Sequence, residues 1–132
     1  MLIFTLTRSR FRRKEMATRK IIALVRDLLL RSRIEAVAEA LGAEVVPAAT
    51  LELARTRTAE HSPAIIFADL SDANFPAEDT ARELRAAAPD ARLVGFASHV
   101  DLKSLAAARA AGFDLTLSRS EFTARLPELL KA

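Results

Sequence analysis

The chain has 132 residues, 51% of them apolar, enough to bury a core and too apolar for a disordered chain. It contains no cysteine and only two histidines, His61 and His99, which excludes disulfides, thiolate zinc sites and cysteine nucleophiles, and metal-ligand spacing is missing from the histidines. The net charge of +3 arises largely from Arg8, Arg10, Arg12, Arg13 and Lys14, and the rest is close to neutral.

That basic segment, "SRFRRK", has no helix-turn-helix pattern behind it and no interleaved tyrosine or tryptophan for base stacking, so nucleic-acid binding is not expected. Residues 1–18 are read as an N-terminal extension outside the fold, either disordered or preceding a natural start at Met16, "MATRKIIALV". The apolar "MLIF" comes before the basic run, the reverse of a signal peptide, and no apolar stretch approaches the roughly 18 residues of a membrane span. These features predict a cytoplasmic protein with no membrane partner.

From Lys20 onward, short β-rich runs alternate with helical patterns. The predicted strands are 20–25 (KIIALV), 43–46 (AEVV), 64–68 (AIIFA), 92–97 (RLVGFA) and 114–118 (DLTLS). Their continuous apolar runs suit strands covered on both faces. Between them, Leu30, Ile34, Val37 and Leu41 share one helical stripe, and Phe122, Leu126, Leu129 and Leu130 share another. Gly42 and Gly112 are placed to stop the first and fourth helices, Thr50, Asp101 and Ser120 to begin helices, and Pro63 and Pro89 to mark boundaries. Right-handed crossovers then give a three-layer α/β/α sandwich with five parallel strands in the order 2-1-3-4-5.

In such a sheet, ligands bind outside the carboxyl ends of the strands at the switch point between the first and third. That rule gathers Arg26 and Asp27 after the first strand, Asp69 after the third, Ala97 to His99 after the fourth and Ser118 to Ser120 after the fifth. Structural roles compete for the acids: Asp69 is equally suited to capping a loop and Asp27 to capping the first helix. His99 in a loop is read as solvated, and His61 as complementing a helix C-terminus.

The segments "PAIIFADLSD", "AARAAGFDLTLSRSEF" and "LVRDLLLRSRIEAVAEALG" resemble the receiver domains of bacterial two-component response regulators, over nearly all of residues 19–132. The resemblance implies a flavodoxin-like (βα)5 fold. It also implies an acidic pair holding magnesium, a phosphoacceptor aspartate, a hydroxyl residue after the fourth strand and a lysine after the fifth. Phosphoryl transfer builds charge on peripheral oxygens, which the metal and the lysine neutralise. Asp69 matches the phosphoacceptor, and Asp27 and Asp69 become the magnesium candidates, with the metal site weakened.

The weakening comes from departures. Arg26 stands where one of the paired acids belongs, Arg119 takes the lysine position seven residues beyond Gly112, and the hydroxyl position falls on Ala97, leaving Ser98 as a weak candidate. Ser120 replaces the family's proline, and "SDANFPAED" replaces its glycine-rich loop. The expectation is that Arg26, with Arg119 as a second cation, pairs with Asp69, substitutes for the metal and depresses the Asp69 pKa.

The resulting reading is an atypical, stand-alone receiver-like signalling protein and not an enzyme. It would act by protein contacts through the fourth helix, fifth strand and fifth helix, about Asp101 to Leu130, with Arg109, Phe122 and Arg125 as contributors and self-association as the alternative use of that face. Two other readings remain open: an intact phosphorelay receiver phosphorylated on Asp69, and a flavodoxin-like ligand-binding or enzymatic domain. The absence of G-x-G-x-x-G, Walker and G-x-S-x-G patterns counts against the last of these.

Overall fold

A computed structural model describes residues 19–98 and 100–131. The reading of residues 1–18 and the role given to His99 lie outside them. The elements are β1 (Arg19–Leu24), α1 (Leu28–Ala40), β2 (Ala43–Pro47), α2 (Leu51–His61), β3 (Ile65–Asp69), α3 (Ala77–Ala87), β4 (Arg92–Ala97), α4 (Leu102–Ala111), β5 (Leu115–Ser118), α5 (Arg119–Ala124) and α6 (Leu126–Lys131). All strand pairs are parallel and the order is β2-β1-β3-β4-β5, as the sequence predicts. No helix among the described residues is long and apolar enough to cross a membrane.

Alternation along the strands divides the core into two layers. Ile21, Ala23, Ile65, Phe67, Val94, Phe96 and Leu117 face α1, α5 and α6, where they meet Leu30, Ile34, Phe122, Leu126, Leu129 and Leu130. Ile22, Leu24, Ile66, Ala68 and Leu93 face α2, α3 and α4, a layer rich in alanine. Small side chains let the helices lie close on that side. A Cβ added to Gly95 in β4 would stand 2.6 Å from Leu70 Cδ1 and 3.0 Å from the Phe113 ring, so a glycine is needed for that approach.

Gly42 and Gly112 both adopt positive φ, +73° and +105°, as expected of helix-terminating glycines. Thr50 and Asp101 cap α2 and α4 through bonds from Leu53 and Ser104 N–H. Three expectations need correction. The cap of α5 is Ser118 and not Ser120: Ser118 Oγ accepts from Glu121 N–H while the Glu121 carboxylate accepts from Ser118 N–H, a reciprocal box that starts the helix two residues early. The inward stripe of α1 runs through Leu30, Ile34 and Ala38, whereas Leu41 is 40% exposed, because the helix ends before Leu41 can complete the stripe. The last helical segment breaks at Arg125 into α5 and α6.

Phe122 anchors α5. Its ring stacks on Phe96 at 4.2 Å between centroids and meets Phe67 edge-on at 5.0 Å. Phe122→Ala should therefore lower stability by about 3–5 kcal/mol, read as a fall in the urea unfolding midpoint at unchanged slope. A loss below about 1 kcal/mol would mean that α5 is held by something other than this ring.

Candidate functional site

The strand order brings the ends of β1, β3 and β5 to one edge of the molecule, and alternation decides which side chains meet there. Asp69 is the last residue of β3 and follows Ile65 and Phe67 onto the α1/α5 face. Asp27 precedes α1 and Arg119 opens α5, both on that face.

Asp27 is the N-cap of α1, its Oδ1 accepting from Leu29 N–H (3.0 Å) and Leu30 N–H (3.1 Å). Its Oδ2 pairs with Arg119 Nη2. These bonds, the helix N–H of Leu30 foremost and then Arg119, hold the Asp27 pKa below the usual value. The other nitrogen of the same guanidinium, Nη1, lies 3.7 Å from Asp69 Oδ2. Asp69 Oδ1 accepts from Ser71 N–H at 3.0 Å, closing a turn after the strand. Both structural roles weighed from sequence, helix cap and loop cap, are therefore present.

The expected pairing of Arg26 with Asp69 is not. Arg26 Nη1 lies 3.7 Å from Asp72 Oδ1 in the β3–α3 loop, and Arg119 is the cation at Asp69. The loop returns on itself through an Asp72 turn, with Asn74 N–H and Nδ2 both donating to Asp72 Oδ1 at 2.9 Å, and this sets an acid in the path of Arg26. Burial of Asp72 opposes its ionisation, but the Asn74 bonds and Arg26 outweigh it and its pKa falls.

The expected depression of the Asp69 pKa is also reversed. Asp69 is only 7% exposed, and this desolvation pushes its pKa up against the opposing Ser71 bond and Arg119 charge, with Asp72 and Asp27 adding repulsion. Desolvation wins because the arginine is shared with Asp27 and stands farther from Asp69.

Ser98, the hydroxyl candidate, is tied to the β3–α3 loop by a bond from its N–H to Ser71 Oγ at 3.1 Å. With Arg119, Ser120 and Thr123 it lines an open cleft of about 540 Å³. A second cleft of about 460 Å³ is lined by Asp27, Leu29, Arg33, Arg119 and Thr123. Arg119 and Thr123 line both. Asp72 and Ser71 are the participants that sequence reasoning missed; the only signal was the position of "SDAN" directly after the acceptor-like aspartate.

No family model matches the sequence, and neither does any curated protein. Solved structures do match. A response regulator from Thermotoga maritima is 18% identical with a TM-score of 0.73, over 86% of this chain and 95% of that one. The chemotaxis response regulator CheY4 of Vibrio cholerae is 14% identical with a TM-score of 0.74, over 87% and 98%. The chain has the receiver-domain fold. A third receiver-fold neighbour, a response regulator from Burkholderia pseudomallei solved with a phosphorylated aspartic acid and a calcium ion, is 16% identical with a TM-score of 0.69, over 86% of this chain and 71% of that one. At these identities the likeness is one of fold, and function must be argued from the residues of this chain.

Because burial raises the Asp69 pKa above its ordinary 3.8, the folded chain binds more protons than the unfolded chain in the window just above that value. Stability from this group is thus lost as pH rises through the window, and the full penalty applies at neutral pH. Asp69→Asn keeps an oxygen for the Ser71 N–H and removes the charge. The variant should exceed the parent in urea midpoint at pH 7, with the difference shrinking below about pH 4. Equal midpoints at pH 7 would show that Arg119 fully compensates the buried charge.

Proposed function

We infer that the chain is a receiver-like signalling module that acts by contact with another protein, with phosphorylation of Asp69 weakened or lost relative to a magnesium-dependent receiver. One observation carries this: the arginine at the end of β5 is engaged with both candidate metal ligands, Asp27 and Asp69. A phosphoryl donor approaching Asp69 meets a carboxylate already facing a cation, with a second arginine, Arg26, where the resemblance puts an acid.

The reading makes the chain a signalling component of the cytoplasm and not an enzyme. Its contact surface would be α4, β5 and the α5–α6 segment, about Asp101 to Leu130. Supporting residues are the exposed Leu102 and Arg109, the latter donating from Nη2 to Thr116 Oγ1 at 3.2 Å and so joining helix to strand. Phe122 drops out of that surface because it is fully buried, and Arg125 is half-buried beside Glu128. Self-association through the same face is the alternative use.

A second reading, an intact phosphorelay receiver, is favoured by the same Arg119, since a guanidinium within 3.7 Å of Asp69 resembles the lysine of phosphorylated receivers and can clamp a phosphoryl group through two nitrogens. The phosphorylated aspartate of the Burkholderia pseudomallei neighbour supports it by analogy of fold.

Incubation with acetyl phosphate and magnesium, followed by intact mass, separates the two. The first reading expects no phosphoryl adduct or only a minor, sub-stoichiometric one. A near-stoichiometric adduct that disappears in Asp69→Asn would replace it with the second.

A further inference from the structure

Three carboxylates, Asp27, Asp69 and Asp72, surround the carboxyl ends of β1 and β3, and two guanidiniums lie among them, Arg119 between Asp27 and Asp69 and Arg26 beside Asp72. Two fixed unit charges equal the charge of one divalent cation. Part of the electrostatic need that a metal would meet is therefore already supplied by side chains.

The donor set also fails to fit magnesium, which requires hard oxygens in near-octahedral array at about 2.0–2.1 Å. Asp27 Oδ1 is committed to two helix N–H groups and its Oδ2 to Arg119. Asp69 Oδ1 is committed to Ser71, and Asp72 Oδ1 to Asn74. Asp69 Oδ2 is loosely held, and it faces a cation. Among the described residues no group of three histidine, cysteine, aspartate or glutamate side chains is placed to hold a metal ion.

We propose that Arg119 is a resident counter-ion that keeps divalent cations out of the Asp27–Asp69 centre. The proposal rests on the functional reading above, for which it names the excluding residue. The acids are held independently of Arg119, Asp27 by the first turn of α1 and Asp69 by the end of β3 and the Ser71 turn. Replacing Arg119 frees Asp27 Oδ2 and removes the cation that faces Asp69 Oδ2.

The test is titration of the full chain with magnesium, and with manganese as a paramagnetic probe, followed by backbone amide resonances. Parent, Arg119→Ala, Arg119→Gln and the double variant R119A/D69N are compared. The parent should show no saturable response at millimolar metal. Arg119→Ala and Arg119→Gln should show saturable shifts and manganese broadening centred on Asp27 and Asp69, tighter than any parent response by roughly tenfold or more. The double variant should lose them. Arg119→Gln guards against loss of fold in the alanine variant, which amide dispersion would reveal.

Saturable parent binding at Asp27 and Asp69 would overturn the proposal, as would folded Arg119 variants that bind no better than the parent. An acetyl phosphate adduct on Asp69 in a parent that still ignores magnesium would defeat the functional reading while sustaining this inference. Parent magnesium binding without an adduct would do the opposite.

Discussion

The sharing of one guanidinium between Asp27 and Asp69 is the contact on which the chemistry of this molecule turns. A carboxylate as enclosed as Asp69 ionises at a cost, and only a nearby cation or several hydrogen bonds can offset it. Asp69 receives one N–H bond and part of one arginine, and this compensation is incomplete, as the upward pKa direction shows. The site therefore combines an acid that is reluctant to ionise with a cation that leans toward its neighbour. A divalent ion would favour the ionised acid more strongly, but would have to share the space with a permanent positive charge.

The position of Arg119 depends on packing some distance from any charge. Its backbone is set where β5 stops, and β5 stops there because the Ser118–Glu121 box turns the chain into α5. The direction of α5 is then fixed by Phe122 between Phe67 and Phe96, two residues belonging to β3 and β4. The same strand that presents Asp69 thus holds the helix that presents its cation. Aromatic packing and ion pairing are coupled through β3, two residues apart along one face.

The fold was legible because its signals are redundant. Five apolar runs, two glycine stops and the inward stripes all point to one topology, and an error of one residue at a strand end changes nothing downstream. Asp69 was legible for a related reason, since a polar residue closing a buried strand stands out against its neighbours. The partner of Asp69 was not. Arg26 adjoins Asp27 in sequence, but Asp27 turns to cap α1, and the Arg26 guanidinium meets Asp72 in a loop whose shape comes from side-chain bonds that periodicity does not encode. The Ser118 cap was missed on similar grounds: Ser118 and Ser120 are equivalent as residue types, and only the reach of Glu121 back to Ser118 N–H separates them.

The strength of the Arg119 bridge follows from preorganisation more than from raw attraction. At 41% and 40% side-chain exposure the Arg119–Asp27 pair is open to water, and exposed ion pairs contribute little when both partners must be ordered to form them. Here one partner is ordered already, because Asp27 cannot abandon two helix N–H groups without fraying α1. The ordering cost then falls on the arginine alone, whose rigid planar fork reaches the second acid from the same position. A lysine at this position would carry its charge on a single nitrogen and would have to divide it between acids that anchor on opposite sides. An arginine at position 119 thus permits one side chain to serve both carboxylates, while the upward shift of the Asp69 pKa shows that its single charge does not fully offset the second.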